Sequence, residues 1–371
     1  MSPSRSLVYF VLMFMLLWAY WTAALEPEQD AEQTKPRTGV FAEQFDERSP
    51  HSDHKRLVER MHLRKEIKVP PYDLADHTFQ LVVPKAYDGS EAYGLLVFIH
   101  PNNNISLDRF YAQQIKNVLA KHQLIWVSYS GAGNPVLAHI RLGLALDAAD
   151  NVMKRYRIND ERVYVSGLSG GGRMTCMAGL YYPQVFTGGV PIVGSMYFRD
   201  VKMPTDEKLL KLIRHIPKGA TGIWPQGVIE PKSKPLRAMK ADQRWVLLAG
   251  EKDYNMPEMR AHFEQGFKAD AFEHAHYLEV PGMGHNYPDA EWFEKAIEML
   301  DAPLVEREKA KEGPVDEQTQ RRAQQRLEIA LRVLKRDEGR GTTLLKRLVK
   351  ELPNTDAADT ARAKLTELAK D

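Results

Sequence analysis

The feature that most constrains the fold is a strand-like run that ends in a glycine-flanked serine. Residues 163–168 are mostly β-branched, aromatic or small, and they lead through Gly167-Leu-Ser169-Gly-Gly171 into a helical pattern. A serine on such a strained strand-to-helix turn needs neighbours without bulky side chains, which Gly167 and Gly171 provide. The free N–H groups at the start of the next helix point toward any oxyanion formed at this serine. The sequence therefore predicts a nucleophile elbow with Ser169 as the attacking residue.

A nucleophilic serine needs a base that takes its proton and an acid that orients the base. His285 is the predicted base, because it lies in a glycine-containing loop after a strand, away from any core-facing pattern. The predicted acid is Asp253, just past a strand at residues 245–249, and Glu251 in the same turn is the alternative. The order of serine, aspartate and histidine is that of α/β-hydrolases, and the glycine spacing excludes the dinucleotide and P-loop phosphate motifs.

An oxyanion hole in this fold takes one N–H from the residue after the nucleophile and one from the loop after an earlier strand. The first donor is predicted to be Gly170. The earlier loop follows a strand that ends at His100, and Pro101 has no N–H to offer. We therefore predict Asn102 or Asn103 as the second donor, although asparagine is also a common turn residue.

Alternating strand and helix patterns fill residues 77–301 and predict the fold class. Most strand candidates are short apolar runs without alternation, which indicates strands covered on both faces and hence a mainly parallel sheet. We predict one doubly wound α/β domain of the α/β-hydrolase type, with a small all-α extension after it. The strand candidates are Phe79–Val83, Leu95–His100, Leu124–Ser130, Arg162–Gly167, Gly189–Val193, Trp245–Ala249 and His276–Val280. The helix candidates are Leu107–His122, Pro135–Tyr156, Gly170–Tyr182, Met256–Asp270 and Asp289–Leu300.

A long connection at residues 198–244 interrupts this alternation. Long connections at the carboxyl edge of a parallel sheet usually shape a binding site, so we interpret it as a cap-like insertion over Ser169. Trp224 within it is a candidate substrate contact, and packing of the insertion onto the core is the alternative role for this side chain.

The first residues have the pattern of an export signal. Arg5 precedes an apolar run that ends in small residues at Ala24, so residues 1–24 are predicted to be a secretory signal peptide. An uncleaved membrane anchor is the alternative, since the run is nearly long enough to span a bilayer. Either would make the protein secreted or periplasmic, with a membrane contact only if the segment is uncleaved. We interpret residues 25–76 as a charged, partly disordered tether with a short helix near residues 55–64.

Residues 302–371 are rich in alanine, leucine and charged residues with helical periodicity. Three helices are predicted, separated at residues 339–341 and 353–355, in a tetratricopeptide-like arrangement. Docking of a protein partner and simple stabilisation of the domain are both consistent with such helices. The formal net charge of +2 over 371 residues provides no broad basic face, so nucleic acid is excluded as a partner.

Three segments carry a resemblance to a known family, and the likeness extends over about residues 79–300. The strongest matches are the segments 156–160, 162–175 and 281–285. In these segments the chain resembles secreted esterases that include polyhydroxybutyrate depolymerases and feruloyl or acetylxylan esterases. The resemblance implies Ser169 as nucleophile, Asp253 as acid and His285 as base, without a metal or an organic cofactor. The pair His100-Pro101 departs from the His-Gly that the family commonly has there.

Together these features predict an exported serine hydrolase that cleaves carboxylic esters through an acyl-enzyme. By resemblance, the substrates are acyl esters on polysaccharides or aliphatic polyesters. One alternative is a serine peptidase of the prolyl-oligopeptidase type, which shares the elbow and the triad order. The other is a binding or scaffold protein that keeps the fold without turnover. Because a histidine must be neutral to act as a base, activity is expected to fall below about pH 6.5.

Overall fold

The structure is a computed structural model that describes residues 36–60, 70–103, 105–131, 133–199, 201–202, 233–312 and 315–368. Within these residues the centre of the protein is one sheet of eight strands. In chain order the strands are β1 (Gly39–Glu43), β2 (Phe79–Val83), β3 (Tyr93–Ile99), β4 (Leu124–Tyr129), β5 (Ile158–Leu168), β6 (Gly188–Ile192), β7 (Arg244–Gly250) and β8 (His274–Val280). All seven strands predicted from the sequence are present.

The sheet is mainly parallel, as predicted. Its strand order is β1-β2-β4-β3-β5-β6-β7-β8. The pairs β1–β2 and β2–β4 are antiparallel, and the remaining pairs are parallel. The carboxyl ends of the parallel strands therefore meet at one edge, which is where ligands bind in open α/β sheets. The loops that carry Ser169, Asp253 and His285 follow β5, β7 and β8 at this edge.

Helices cover both faces of the sheet, so the doubly wound architecture is confirmed. On β3, alternate side chains enter two different apolar cores, because successive residues of a strand point to opposite faces. The first core contains side chains of the helices at residues 138–155 and 170–181, and the second contains side chains of the helices at residues 105–114, 116–121 and 290–312. The helices are α1 (His54–Arg60), α2 (Ile105–Gln114), α3 (Lys116–Lys121), α4 (Ala138–Arg155), α5 (Gly170–Tyr181), α6 (Ser233–Asp242), α7 (Met256–Ala261), which continues as a π-helical segment (His262–Lys268), α8 (Ala290–Glu312), α9 (Glu317–Leu334), α10 (Glu338–Glu351) and α11 (Asp356–Leu368).

Two helices differ from the prediction. The segment expected to form one helix at residues 107–122 is divided into α2 and α3. The helix expected to end at Leu300 continues as α8 to Glu312, across the expected domain boundary. Asp301 lies within this longer helix, and its carboxylate accepts hydrogen bonds from Arg162 at 2.7 Å and from Tyr164 at 2.5 Å. These contacts attach the middle of α8 to β5.

Part of the segment interpreted as a tether belongs to the sheet and its core. β1 pairs with β2, and Phe45 and Leu57 are buried in the first apolar core. The N–H of Ser49 donates to Asp147 Oδ1 on α4 at 2.7 Å, and the hydroxyl of Ser52 donates to the same oxygen. The tether interpretation is therefore wrong for these residues. It failed because a five-residue edge strand with one buried side chain leaves almost no periodic signal.

The three C-terminal helices share an apolar cluster of their own, which includes Leu327 and Leu345. The predicted break at residues 353–355 is confirmed, whereas the one at residues 339–341 is wrong. α10 already begins at Glu338, because Asp337 caps it by accepting the N–H of Arg340 at 2.9 Å. The glycine at 341 has a packing role instead, since a Cβ there would overlap Leu334 of α9. The tetratricopeptide likeness and the docking role of these helices stay predictions.

Several predictions fall outside the described residues. They concern the signal peptide at residues 1–24, Trp224 and residues 203–232 of the cap-like insertion. α6 is the described part of that insertion near its end. In the described part of the chain, none of the helices combines the length and the apolar character that crossing a membrane requires.

Candidate active site

Ser169 occupies a strained turn between β5 and α5. Its φ of 56° lies in the left-handed region, which residues other than glycine rarely adopt. The N–H of Ser169 donates to the carbonyl of Ile192 at 2.8 Å and fixes the turn against β6. A Cβ at Gly167 or at Gly171 would collide with the carbonyl oxygen of Ile99 on β3. The glycine spacing of the motif thus reflects how closely the turn approaches the neighbouring strand.

The structure brings the three predicted catalytic side chains together. His285 Nε2 lies 2.8 Å from Ser169 Oγ, and His285 Nδ1 lies 2.8 Å from Asp253 Oδ1. The Asp253 side chain is fully buried, whereas that of His285 is 23% exposed. Because the carboxylate accepts the proton at Nδ1, Nε2 presents its lone pair to the serine hydroxyl. This arrangement can remove the proton of Ser169 as the oxygen attacks a substrate.

Backbone contacts hold the loop of the acid against the loop of the histidine. The N–H of Lys252 donates to the carbonyl of Met283 at 2.9 Å, and the N–H of Glu251 donates to that of Val280 at 3.0 Å. The carboxylate of Glu251 accepts the N–H of Gly282 at 2.7 Å. Glu251, the alternative acid, therefore secures the loop that carries the histidine, while Asp253 is the carboxylate that contacts the imidazole.

Tyr254 is a site residue that the sequence analysis missed. Its ring stacks on that of His285, with centroids 4.3 Å apart and planes at 25°. Burial and the carboxylate of Asp253 raise the pKa of its phenol, while the side chain of Ser169 acts in the opposite direction. The tyrosine thus packs on His285, close to Ser169. Its position directly after the predicted acid was the available signal, but one aromatic residue beside a loop carboxylate has no characteristic spacing.

A polar cluster lies behind the elbow. Arg173 forms an ion pair with Glu258 and donates to the carbonyl of Ser195 at 3.1 Å. The hydroxyl of Ser195 lies 2.9 Å from His262 Nδ1. Burial lowers the pKa of His262 to about 4, so its imidazole is neutral at neutral pH. Ser195 is fully buried, so this second serine–histidine pair is closed to solvent.

The predicted oxyanion residues differ in whether their polar groups are already bonded within the protein. Gly170 is the first residue of α5, so its N–H has no partner within the helix. The N–H of Asn102 donates to His100 Nδ1 at 2.9 Å instead of being available to a substrate. Burial lowers the pKa of His100 to about 4, which keeps its ring neutral and able to accept that bond. The side chain of Asn103 is used in the loop, where its Oδ1 accepts the N–H of Gly133 at 2.5 Å.

One group of side chains in the described part of the chain offers metal-ligand geometry. Ligand atoms of His122, Glu294 and Glu298 lie within 4.8 Å of one another. The ammonium group of Lys121 already lies 2.6 Å from Glu294, and the group belongs to α3 and α8 and not to the triad loops. The triad chemistry needs no ligand from this group.

Comparisons with known proteins match different parts of the chain. Residues 145–292 match the model of the prolyl oligopeptidase family. A segment of 48 residues, 13% of this chain, is 46% identical to the poly(3-hydroxyalkanoate) depolymerase C of Paucimonas lemoignei, and it spans 12% of the length of that enzyme.

Solved structures of esterases are also similar. A ferulic acid esterase is 15% identical, with a TM-score of 0.45 and coverage of 70% of this chain and 94% of its own. A thermophilic esterase from the Planctomycetes species Thermogutta terrifontis is 15% identical as well, with a TM-score of 0.44 and coverage of 65% and 90%. The sheet, the elbow and the family match together show that this chain contains an α/β-hydrolase domain, which is similar to the prolyl oligopeptidase family over residues 145–292.

Proposed function

We propose that the protein is a serine hydrolase that cleaves carboxylic esters through an acyl-enzyme. The observation that carries the proposal is the continuous hydrogen-bonded chain from Asp253 through His285 to the hydroxyl of Ser169, with both bonds at 2.8 Å. These contacts are the ones that a nucleophile, its base and an orienting acid require, which supports the proposal. Ser169 is partly exposed, whereas Ser195 is fully buried.

The reaction divides into two halves that use the same groups. Ser169 Oγ attacks the ester carbonyl carbon and its proton passes to His285 Nε2. The tetrahedral intermediate then expels the alcohol, which takes the proton from the imidazole. A water molecule next gives a proton to His285 and attacks the acyl-enzyme, and collapse of the second intermediate releases the carboxylic acid and returns the proton to Ser169. Asp253 stabilises the imidazolium that forms in each half.

Polyesters and acyl esters of polysaccharides are the proposed substrates. The short segment of 46% identity to a poly(3-hydroxyalkanoate) depolymerase supports a polyester. The second candidate function is peptide hydrolysis, which the prolyl oligopeptidase match over residues 145–292 favours. An amide leaving group must be protonated as it departs, and His285 is positioned to supply that proton too. The two candidates therefore differ in substrate and not in the triad.

Labelling with a fluorophosphonate probe tests the nucleophile. The purified wild type is expected to take the label, and the Ser169→Ala variant is expected to take none. Ser195→Ala is the matched control, because it removes the hydroxyl of the other serine that contacts a histidine and leaves the triad intact. Wild-type protein that takes no label, or label that disappears only in the control variant, would contradict the proposal.

A substrate panel then separates the two candidate functions. Acetyl, feruloyl and longer acyl esters of one chromogenic alcohol are compared with peptide anilides under the same conditions. Ester hydrolysis is expected, with a burst of alcohol release wherever hydrolysis of the acyl-enzyme is the slower half. Turnover of peptide anilides alone would reject the esterase proposal and leave the peptidase as the function.

Export of the enzyme is also part of the proposal, and the apolar run at residues 7–24 supports it. Sequencing the N-terminus of the mature protein tests it, with a new terminus expected at residue 25. A protein recovered in the cytoplasm with Met1 intact would contradict export.

The C-terminal helices are proposed to dock a protein partner. Deleting them should then abolish the association with that partner while leaving ester hydrolysis in place.

A further inference from the structure

The ring of Tyr254 covers one face of the imidazole of His285. The two ring centroids lie 4.3 Å apart and the planes are tilted by 25°, so the rings are stacked and not edge to face. The nitrogens of the imidazole contact Asp253 and Ser169, each at 2.8 Å. Two hydrogen bonds therefore hold the imidazole in its plane, and the tyrosine lies over that plane.

The turn that carries Tyr254 is fixed on both sides of the ring. The N–H of Asp253 donates to the carbonyl of Gly250 at 3.0 Å, and the Asp253 side chain is fully buried. Asn255 is also buried, and its side-chain amide donates to the carbonyl of Val193 at 2.8 Å. Because both neighbours are anchored in the protein, the ring between them is held against the imidazole.

The stack matters because His285 changes its charge in the proposed reaction. When Ser169 Oγ bonds to the carbonyl carbon, its proton passes to His285 Nε2 and the imidazole becomes an imidazolium. The face of an aromatic ring carries partial negative charge and attracts a cation that lies over it within about 6 Å of the centroid. This attraction is absent for the neutral imidazole, so it acts in the transition state and not in the resting enzyme.

We propose that the ring of Tyr254 is a catalytic group that stabilises the imidazolium form of His285 by a cation–π interaction. The inference rests on the proposed serine hydrolase function. It requires only the triad and not a particular leaving group, so it holds for ester and for peptide substrates. The stabilisation that Asp253 supplies at the edge of the imidazole is then supplemented across its face.

Charged groups on several elements surround this stack. The carboxylate of Asp253 also favours the imidazolium, and Arg173 on α5 acts on the phenol of Tyr254. The guanidinium of Arg173 is paired with Glu258 on α7, which offsets its repulsion of a second cation. Glu251 places a further carboxylate at the backbone of the histidine loop. A substitution confined to Tyr254 leaves these groups in place, so a change in pH dependence then reports the ring.

The pH dependence of fluorophosphonate labelling tests the proposal without knowledge of the substrate. The second-order rate constant of wild type, Tyr254→Phe and Tyr254→Leu is measured from about pH 4.5 to 8.5, since its acidic limb reports protonation of the base in the free enzyme. Phenylalanine keeps the ring, so the midpoint of this limb should match that of the wild type. Leucine covers the same face without ring electrons. Its midpoint should lie about 0.4 to 0.7 of a pH unit lower, and its plateau about twofold to fivefold below that of Tyr254→Phe.

A ring that only shields the base from water predicts a different result. Leucine shields the imidazole as well, so the midpoint would stay level, and any opening to water would favour the charged form and raise it. A level or higher midpoint in Tyr254→Leu would therefore overturn the proposal. Tyr277→Leu is the matched control, because Tyr277 on β8 also loses a stacked partner, Phe263, with centroids 5.7 Å apart. The midpoint of this control should match the wild type, and an equal downward shift there would assign the effect to the loss of any stacked tyrosine.

Fluorinated phenylalanines at residue 254 test the same point with almost no change in shape. Each added fluorine withdraws electron density from the ring face and weakens its attraction for a cation. The midpoint should therefore fall stepwise from phenylalanine to the variants with one, two and three ring fluorines. If the wild type takes the label and the midpoint stays constant along this series, the inference fails while the proposed function stands. If the wild type takes no label, both fail.

Discussion

Replacing His262 with asparagine is expected to make folding less sensitive to acid. Burial lowers the pKa of this imidazole from 6.5 to about 4, with smaller effects from Glu258, which raises it, and Arg173, which lowers it further. Because the pKa is lower in the folded state, the unfolded chain binds the proton first as the pH falls. The stabilising contribution of the neutral ring is therefore complete above about pH 6.5, and it is lost as the pH falls toward about 4.

The size of the effect follows from the two pKa values. They differ by about 2.5, and each pKa unit corresponds to about 1.4 kcal/mol, so the full loss is about 3 kcal/mol once the pH is below both values. Between about pH 7 and pH 5 the unfolded form is already mostly protonated while the folded form is not. The free energy of unfolding should then fall by about 2 kcal/mol from this residue alone.

Urea unfolding of wild type and His262→Asn at about pH 7 and pH 5 measures the difference. The cost of the smaller side chain is the same at both pH values and cancels, so the variant should lose about 2 kcal/mol less than the wild type. Ser195→Ala is the control, since it removes the hydroxyl beside the ring and leaves the ring buried. It should keep the wild-type pH dependence. Equal pH dependence in wild type and His262→Asn would refute the reasoning.

Three further predictions concern other parts of the molecule. Gly171→Ala should cost at least about 2 kcal/mol in urea unfolding, because its Cβ meets the rigid backbone of β3, and a cost below about 0.5 would contradict that packing. Tyr254→Phe keeps the ring stacked on His285 but lacks the phenol hydroxyl close to Ser169. The value of kcat/KM in steady-state ester assays should therefore fall by up to about tenfold. An unchanged kcat/KM would show that the hydroxyl has no role in catalysis. Leu345→Ala should lower the unfolding free energy of the C-terminal helices, followed by circular dichroism, by about 2 to 5 kcal/mol. The control Ile329→Ala, at an exposed position, should change it by less than about 0.5 kcal/mol. Equal effects of the two variants would exclude a packed cluster.

The sequence was most informative where a local rule acts on consecutive residues. The elbow requires small residues on both sides of Ser169, so the motif by itself predicts the conformation of the turn. The buried strands are apolar runs, and all seven predicted strands are present. His285 was identified by its glycine-containing loop. It was harder to tell whether Asp253 or Glu251 is the acid, because two carboxylates in one turn differ only in the direction that each one faces.

The edge strand β1 and the glycine at 341 were misinterpreted for the same reason. β1 buries a single side chain in the sheet, so its place depends on the hydrogen bonds of β2 and not on its own pattern. Gly341 resembles a helix breaker in the sequence, and only the approach of Leu334 shows that it lies within a helix and allows close packing.

The sequence alone determined the strained turn and the parallel sheet, since both depend on neighbours in the chain, and it predicted the three side chains that the fold brings together. The tertiary structure decided which groups surround that triad: Tyr254 on the imidazole and Glu251 on the loop of the histidine. These contacts join residues from separate loops at the carboxyl edge of the sheet. The partners of these residues are set by how the loops pack against one another, and the spacing of the residues in the sequence does not predict that packing.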